Sequence, residues 1–301
     1  MNPIPMSDFA AQILTVYSHL RAPKTRYRVA QMLAALEALG VTSTAELTTA
    51  TMVRYIVEMG ASNHNTLAGC LGTMRSLCSF AIAEGWLDRQ PHWRRLWPKP
   101  TPTVLNVALD AADVAKLLAH LEERATDWQG LRLSALAHLV AHTGVRLGEA
   151  AHALVEDLDL DRGYFTVNPL RHPLKTVESA RAIPLPDVVL PVLARWAPLT
   201  GCPWLFPGAR LRGPWLGGWT VTKPLHGLQE AARQAGVGRV TWHSLRHTYA
   251  SAALEEWRVP IWVVQRCLGH TSVRTTERYV RRIQPEKFAR ELRGVGYRRS
   301  M

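Results

Sequence analysis

The sequence predicts a mostly α-helical protein of two domains, with one small antiparallel β-sheet in the second domain. Three observations support this prediction. The 301 residues are about twice the length of a typical ~150-residue domain. Apolar residues recur at helical spacing over most of the chain, and strand-forming residues cluster in one segment, residues 164–185. Because 47% of the residues are hydrophobic and 20% are charged, the chain can bury a sizeable core, which excludes a disordered basic tail.

The first domain, residues 1–97, is predicted to be a small helical bundle. Short polar side chains at N-cap positions satisfy the free N–H groups of a first helical turn, and such residues precede the apolar stretches. The four predicted helices run from Ser7 to Leu20, Thr25 to Leu39, Thr48 to Met59 and Asn63 to Glu84, with Ser7, Thr25, Thr48 and Ser62 as caps. The prolines of WPKPTPTVL then favour an extended connector, so we place a linker at residues 98–106.

The second domain, residues 107–301, is also predicted to be mainly helical, with Asp110 capping its first helix. The predicted helices are Val114 to Arg124, Leu131 to His142, Thr222 to Gln234, His243 to Glu256, Ile261 to Leu268, Val273 to Val280 and Pro285 to Leu292. Between the second and third of these, Tyr164 to Val167 and Ala182 to Leu185 are typical of two short strands around a turn.

Net charge points to a polyanionic partner. Lysine and arginine exceed aspartate and glutamate by 36 − 24 = 12, and the excess is spread over both predicted domains. Nucleic acid is therefore the first partner to consider. The four cysteines show neither metal-ligand spacing nor a disulfide framework, which favours a reducing compartment. We find no secretory signal and no run of ~18 uninterrupted apolar residues, so we expect a cytoplasmic protein without a membrane partner.

Polar residues in the second domain stand where a purely structural pattern does not need them. Arg146 follows Gly144 at the end of a long apolar helix, where a guanidinium can present a bidentate fork to a phosphate. Glu149 either orients Arg146 or faces water. His243 and Arg246 share one helix face, since they are three residues apart, whereas His247 is interpreted as structural. For each residue alone, a solvated or packed side chain is the alternative.

Three further residues belong to this group. His270 lies in the turn after Gly269, and Tyr279 follows nine residues later on a short helix. A phenol has a pKa near 10, so its attack on a phosphodiester requires neighbouring cations or a base. Lys175 lies near the turn of the predicted hairpin, where its side chain can reach into a groove. Lys223 is the alternative candidate for this lysine, although it lies in no predicted hairpin.

In this order, the residues resemble the active-site set of the tyrosine recombinases, the phage integrase family. TGVRLGEA is similar to the family's first-arginine box, HSLRHTYAS to its His-x-x-Arg box, and LGHTSVRTTERYV to its final His and Tyr box. The segment between Asn63 and Pro91 is similar to the last helix of the family's N-terminal core-binding domain. The hairpin KTVESARAIPLP departs from the family pattern, because it is about one residue longer and lacks the glycine turn.

The resemblance implies an N-terminal helical core-binding domain and a C-terminal integrase-type catalytic domain. It implies that Tyr279 attacks a DNA phosphate to leave a 3′-phosphotyrosyl link, without a cofactor or a metal. Arg146 and Arg246 would hold the non-bridging oxygens, and His270 would hydrogen-bond the phosphate. His243 would help move the tyrosine proton, and Lys175 would protonate the departing 5′-oxygen.

The implied activity is site-specific recombination, in integration or excision of a mobile element or in multimer resolution. The implied partners are duplex DNA, copies of this chain in a tetramer on DNA, and an accessory DNA-bending or directionality protein. In the first domain, Asn63, His64, Asn65 and Arg75 are the candidate DNA-binding residues. Two alternatives remain open: a catalytically silent, sequence-specific DNA-binding protein of the same fold, and an enzyme like the type IB topoisomerases.

Overall fold

The structure is a computed structural model. It describes residues 2–20, 23–60, 64–98, 109–168, 180–208, 210–211, 213–215, 222–270 and 272–280, and in residues 17–20, 23–24, 64–65, 222–223 and 278–280 the backbone alone. The chain divides into two compact units, Met1–Val104 and Leu105–Met301. Most of the predicted linker lies outside the described residues, so its extended form stays a prediction.

The first unit is a helical bundle, as predicted. Its helices are α1 (Met6–Leu20), α2 (Pro23–Ala38), α3 (Thr49–Glu58), α4 (His64–Ala83) and the single turn α5 (Trp93–Leu96). The cap at Thr48 is confirmed, because its hydroxyl accepts the Thr51 N–H at 3.3 Å. Ser7 and Thr25 lie inside helices, so these two cap predictions were wrong. Ser62 lies outside the described residues.

Helix α4 supplies much of the first unit's core. Leu71, Met74 and Leu77 of the predicted apolar stripe are buried there. The window Thr66–Ala83 is long and apolar enough to cross a membrane by length and composition, with a mean hydropathy of 1.3. About 33% of this window is buried, including the stripe of Leu71, Met74 and Leu77, and one such helix is weak evidence for a membrane span.

The second unit is built around one buried helix. Its helices are α6 (Ala111–Glu123), α7 (Trp128–Thr143), α8 (Leu147–Ala151), α9 (Leu190–Trp196), α10 (Thr222–Gln234), α11 (Trp242–Glu255), α12 (Ile261–Leu268) and α13 (Val273–Val280). Helix α7 packs against α6, α9, α10 and α11, and α11 in turn packs against α12 and α13. Asp110 caps α6 as predicted, accepting the Ala112 N–H at 3.0 Å. The sequence patterns did not identify α8 and α9 as helices.

A three-stranded antiparallel sheet completes the second unit. Its strands are β1 (Leu158–Asp159), β2 (Tyr164–Val167) and β3 (Arg181–Pro184), in the order β1-β2-β3. The predicted pair is confirmed as β2 and β3, with Phe165 opposite Ile183 and Val167 opposite Arg181. These four side chains are buried. The arginine therefore occupies a position on the core face, and β3 packs against α12.

Candidate active site

Two glycines end the helices that lead into the candidate site. Gly144 ends α7 with φ of 64°, and Gly269 ends α12 with φ of 63°, both in the left-handed region that favours glycine. A β-carbon at Gly269 would lie 2.6 Å from Nη1 of Arg181, so the backbone approaches this guanidinium closely. Arg146 and His270 follow these two turns, and the packing of α7, α11 and α12 brings the turns together.

Replacing Gly144 with alanine should destabilise the second unit. The new methyl group would overlap the side chains of Tyr249 and Leu268 at a positive φ. We expect the free energy of unfolding to fall by about 2–4 kcal/mol, combining backbone strain with overpacking. Denaturant unfolding measures the change. The control Gly238→Ala, with open space around its β-carbon, should change stability by less than about 0.5 kcal/mol. Equal midpoints for the two variants would contradict the prediction.

Arg146 is oriented by a buried carboxylate. Its Nη1 donates to Oε1 of Glu149 at 2.7 Å, and its backbone N–H donates to Oε2 at 3.0 Å. Its Nη2 also donates to the carbonyl of Gly269 at 3.3 Å. The Arg146 side chain is 44% exposed, whereas that of Glu149 is 1% exposed. Glu149 therefore orients Arg146 rather than facing water, and the guanidinium stays accessible to a ligand.

Arg246 joins the two glycine turns. It is buried on α11, where its Nη1 donates to the carbonyl of Gly144 at 2.5 Å and its Nη2 to the carbonyl of Leu268 at 2.8 Å. Its Nη2 also lies 3.0 Å from Nε2 of His270. A guanidinium has five N–H donors in a fixed plane, so one side chain can fix both helix ends and still face the histidine.

The contacts of His270 define its protonation. Burial, followed by the charges of Arg246, Arg146 and Arg181, lowers the pKa of His270 to about 3, so the ring is neutral at pH 7. Because Arg246 can only donate, Nε2 of His270 accepts, and Nδ1 carries the proton. Nδ1 lies 2.9 Å from the hydroxyl of Thr276, a buried residue of α13. His270 thus connects the arginine cluster to α13.

His243 pairs with the histidine one turn further along α11. The two Nε2 atoms of His243 and His247 lie 2.8 Å apart, so one ring donates and the other accepts. Burial lowers the pKa of His243, and the charges of Arg246 and Arg146 lower it further. The interpretation of His247 as merely structural overlooked this contact, which the i,i+4 spacing of the two residues could have indicated.

Arg181 is the residue of the cluster that the sequence patterns missed. It is buried in β3, where its Nη2 lies 2.8 Å from Oε2 of Glu149 and its Nε donates to the carbonyl of Cys267 at 2.7 Å. Burial alone would raise the pKa of Glu149, but the hydrogen bonds and charges of Arg181 and Arg146 hold it below its usual value. Arg181 alternates with Ile183 and Leu185 at the two-residue period of a strand, so it lies on the same buried face. A charged residue at a position predicted to be buried was the sequence signal for it.

The cluster borders a groove of about 570 Å³. Its lining residues are Ala180, Arg181, Trp262, Gln265, Arg266, Gly269 and His270. The described residues of the cluster carry three guanidinium groups and one carboxylate, which gives a net charge of +2: Arg146 and Arg181 pair with Glu149, and Arg246 binds the carbonyls of the two glycine turns. A site of this charge with a neutral imidazole suits the binding of a phosphate ester. No group of three or more His, Cys, Asp or Glu side chains that could hold a metal occurs within the described ranges.

The structure describes the remaining predicted residues only in part. Tyr279 lies on α13, three positions after Thr276, but its side chain is not described. Lys175 lies outside the described residues, and of Lys223 only the backbone in α10 is described. Four residues of the first unit were predicted to bind DNA. Of these, Asn63 lies outside the described residues, His64 and Asn65 begin α4 without described side chains, and Arg75 is exposed on α4.

Solved structures of similar fold are DNA recombination proteins. The Tn1549 transposon integrase in complex with a circular intermediate DNA superposes with a TM-score of 0.74 at 15% identity, covering 97% of this chain and 100% of that one. A lambda integrase tetramer bound to a Holliday junction superposes with a TM-score of 0.65 at 18% identity, covering 89% of this chain and 78% of that one. At these identities the likeness concerns the fold.

Sequence comparison establishes the family. The tyrosine recombinase XerD of Caulobacter vibrioides is 29% identical over 245 residues, covering 76% of this chain and 75% of the relative. XerD of Mycobacterium leprae is 34% identical over 223 residues, covering 70% and 68%. The sequence profile of the phage integrase family matches residues 108–284, which include both glycine turns and the arginine cluster. The chain therefore belongs to the phage integrase family, the family of the tyrosine recombinases.

Proposed function

We propose that the chain is a site-specific DNA recombinase in which Tyr279 attacks a phosphate held by Arg146, Arg246 and His270. The observation that carries this proposal is the convergence of these three residues. Nη2 of Arg246 lies 3.0 Å from Nε2 of His270. Nη2 of Arg146 donates to the carbonyl of the adjacent Gly269. Three side chains from separate segments thus converge at the turn of Gly269 and His270, which also lines the groove, and we propose that one phosphate accepts from all of them.

The reaction is a transesterification that needs no external energy source. The phenolic oxygen of Tyr279 forms a bond to phosphorus as the bond to the 5′-oxygen breaks, leaving a 3′-phosphotyrosyl link and a 5′-hydroxyl. In the reverse step, a 5′-hydroxyl attacks the phosphotyrosyl bond and releases the tyrosine. Arg146 and Arg246 stabilise the negative charge that builds on the non-bridging oxygens. Such donors contribute most where they are held in place before the reaction, as Glu149 and the two glycine turns hold these.

The proposed proton transfers involve His243 and Lys175, and His270 is proposed to hydrogen-bond the phosphate. His243, whose lowered pKa keeps the ring neutral at pH 7, accepts the proton of Tyr279, and Lys175 protonates the departing 5′-oxygen. A bound phosphate would bring negative charge to His270 and raise its pKa from the low value of the free protein. His270 can then carry a proton on Nε2 and donate it in a hydrogen bond to the phosphate.

The first unit is proposed to bind the DNA on which the second unit acts. The net charge of +12 supports a broad contact with the phosphate backbone, and Asn63, His64, Asn65 and Arg75 are the proposed contacts. By analogy with the lambda integrase tetramer on a Holliday junction, we propose that four copies of the chain assemble on DNA. We also propose an accessory DNA-bending or directionality protein as a partner and the cytoplasm as the location.

A supercoiled plasmid distinguishes this function from its alternatives. DNA fragments that bind the protein are first selected from a random pool, and plasmids carrying two, one or no copies of the selected site are then incubated with it. A recombinase will delete or invert the segment between two sites. Relaxation of the plasmid without a site would indicate an enzyme like the type IB topoisomerases. Site-specific binding without any cleavage would indicate the catalytically silent protein.

Replacing Lys175 with alanine should slow cleavage of ordinary DNA by about 10²–10³-fold, the usual effect of removing general-acid catalysis. A substrate with sulfur in place of the bridging 5′-oxygen should restore the rate, because a thiolate leaves without a proton. Cleavage of a nicked substrate, which traps the covalent adduct, measures both rates. The matched variant is Lys223→Ala, which should behave as wild type. Sulfur rescue of Lys223→Ala in place of Lys175→Ala would transfer the role to Lys223.

A further inference from the structure

The buried pair of Arg181 and Glu149 stands behind Arg146. Both side chains are at most 3% exposed, and Glu149 bridges the two arginines, with Oε1 2.7 Å from Nη1 of Arg146 and Oε2 2.8 Å from Nη2 of Arg181. We propose that Arg181 is a positioning residue for DNA cleavage: it neutralises Glu149, so that this carboxylate can orient Arg146 without cancelling the charge that Arg146 offers to the phosphate. The inference rests on the proposed function of Arg146.

The number of cations paired with Glu149 determines how much positive charge Arg146 offers to a phosphate. With Arg146 as its only cationic partner, a buried carboxylate would form a neutral pair with it, and the guanidinium would attract a phosphate weakly. The carboxylate would also hold Arg146 more tightly, because an unpaired buried charge is costly and its one partner must compensate for it. With Arg181 present, two cations share one anion, and one positive charge remains on the accessible side, where Arg146 is 44% exposed.

Arg181 is also well placed to fix the position of the second glycine turn. Its Nε donates to the carbonyl of Cys267 at 2.7 Å, and Gly269 leaves no room for a β-carbon against its guanidinium. The residue thus connects β3 to the end of α12, the turn that presents His270. A guanidinium can serve the carboxylate and the carbonyl at once because its donors diverge in one plane, whereas a lysine ammonium is a point charge.

A double-mutant comparison tests the electrostatic role. Arg181→Met should slow formation of the covalent adduct about 10²-fold, as removal of one preorganised charge does, while DNA affinity changes less than threefold. Glu149→Gln added to Arg181→Met removes the uncompensated anion, and the amide oxygen still accepts one hydrogen bond from Arg146. We expect the double variant to regain at least tenfold in rate. If Arg181→Met is too unstable at the assay temperature, Arg181→Gln with and without Glu149→Gln gives the same comparison, because the glutamine amide removes the charge but can still donate to the carbonyl of Cys267.

A second readout separates this role from a merely structural one. A methylphosphonate in place of the scissile phosphate carries no charge, so its cleavage depends less on the charge of Arg146. The defect of Arg181→Met should shrink to less than about tenfold on this substrate. Arg233→Met, which removes an exposed arginine paired with Glu230, is the control and should cleave both substrates as wild type does.

Four outcomes would contradict the proposals. A double variant as slow as Arg181→Met, or an equal defect on charged and neutral linkages, would overturn the role of Arg181. Retention of full activity by Arg181→Met would also overturn it. Absence of any adduct with the wild-type protein would instead refute the proposed function itself, so the two failures are distinguishable.

Discussion

Tyr279→Phe will form no covalent complex with DNA, and recombination between two sites will fall by about 10⁴-fold or more, the scale of losing a nucleophile. We expect this loss because the phenolic oxygen is the proposed nucleophile that forms the bond to phosphorus, and phenylalanine has no such oxygen. Binding of the same DNA should stay within about threefold of wild type, since one hydroxyl contributes little to a large phosphate interface. Denaturing gels of a nicked substrate show the adduct, and mobility shifts measure the affinity.

The matched control is Tyr164→Phe, which removes a hydroxyl from an exposed tyrosine on β2. This variant should form adduct at the wild-type rate. Persistence of the adduct in Tyr279→Phe, or its loss in Tyr164→Phe, would contradict the assignment of the nucleophile.

Arg246→Ala should slow cleavage by about 10²–10³-fold, because the proposed transition-state donor is removed. A loss of stability should accompany it, because the carbonyls of Gly144 and Leu268 lose their buried donor. Each unsatisfied buried group costs about 1–3 kcal/mol. Single-turnover cleavage and denaturant unfolding measure the two effects separately.

Arg246→Lys separates them further. The ammonium can satisfy one of the carbonyls but lacks the fork that reaches both helix ends and the phosphate, so stability should recover more than activity. The exposed Arg233→Ala serves as control. Cleavage by Arg246→Lys at the wild-type rate would show that the fixed guanidinium geometry is not required.

Local sequence patterns were sufficient to predict those parts of the candidate site that lie on helices or at helix ends. The spacing in HSLRHTYAS placed His243 and Arg246 on one face of α11, and the glycines before Arg146 and His270 marked the ends of α7 and α12. These features depend on helical period and on the preference of glycine for positive φ, both of which a sequence displays directly.

The parts that were missed depend on contacts between distant segments. Arg181 contacts Glu149, 32 residues earlier in the chain, and Cys267, 86 residues later. The local sequence of β3, the strand that holds Arg181, does not predict either partner. The contact between His270 and Thr276 is similar, because it requires α13 to fold back beside the turn. The short helix α9 was missed because its seven residues give too little periodicity to distinguish a helix from a buried loop.

The most direct test of the central claim is a structure of the Tyr279→Phe protein bound to duplex DNA that contains its selected site. Arg146, Arg246 and His270 should all lie within hydrogen-bonding distance of the non-bridging oxygens of one phosphate, with residue 279 facing the phosphorus. A complex in which the DNA backbone passes elsewhere on the protein and leaves these three side chains without a phosphate would contradict the account.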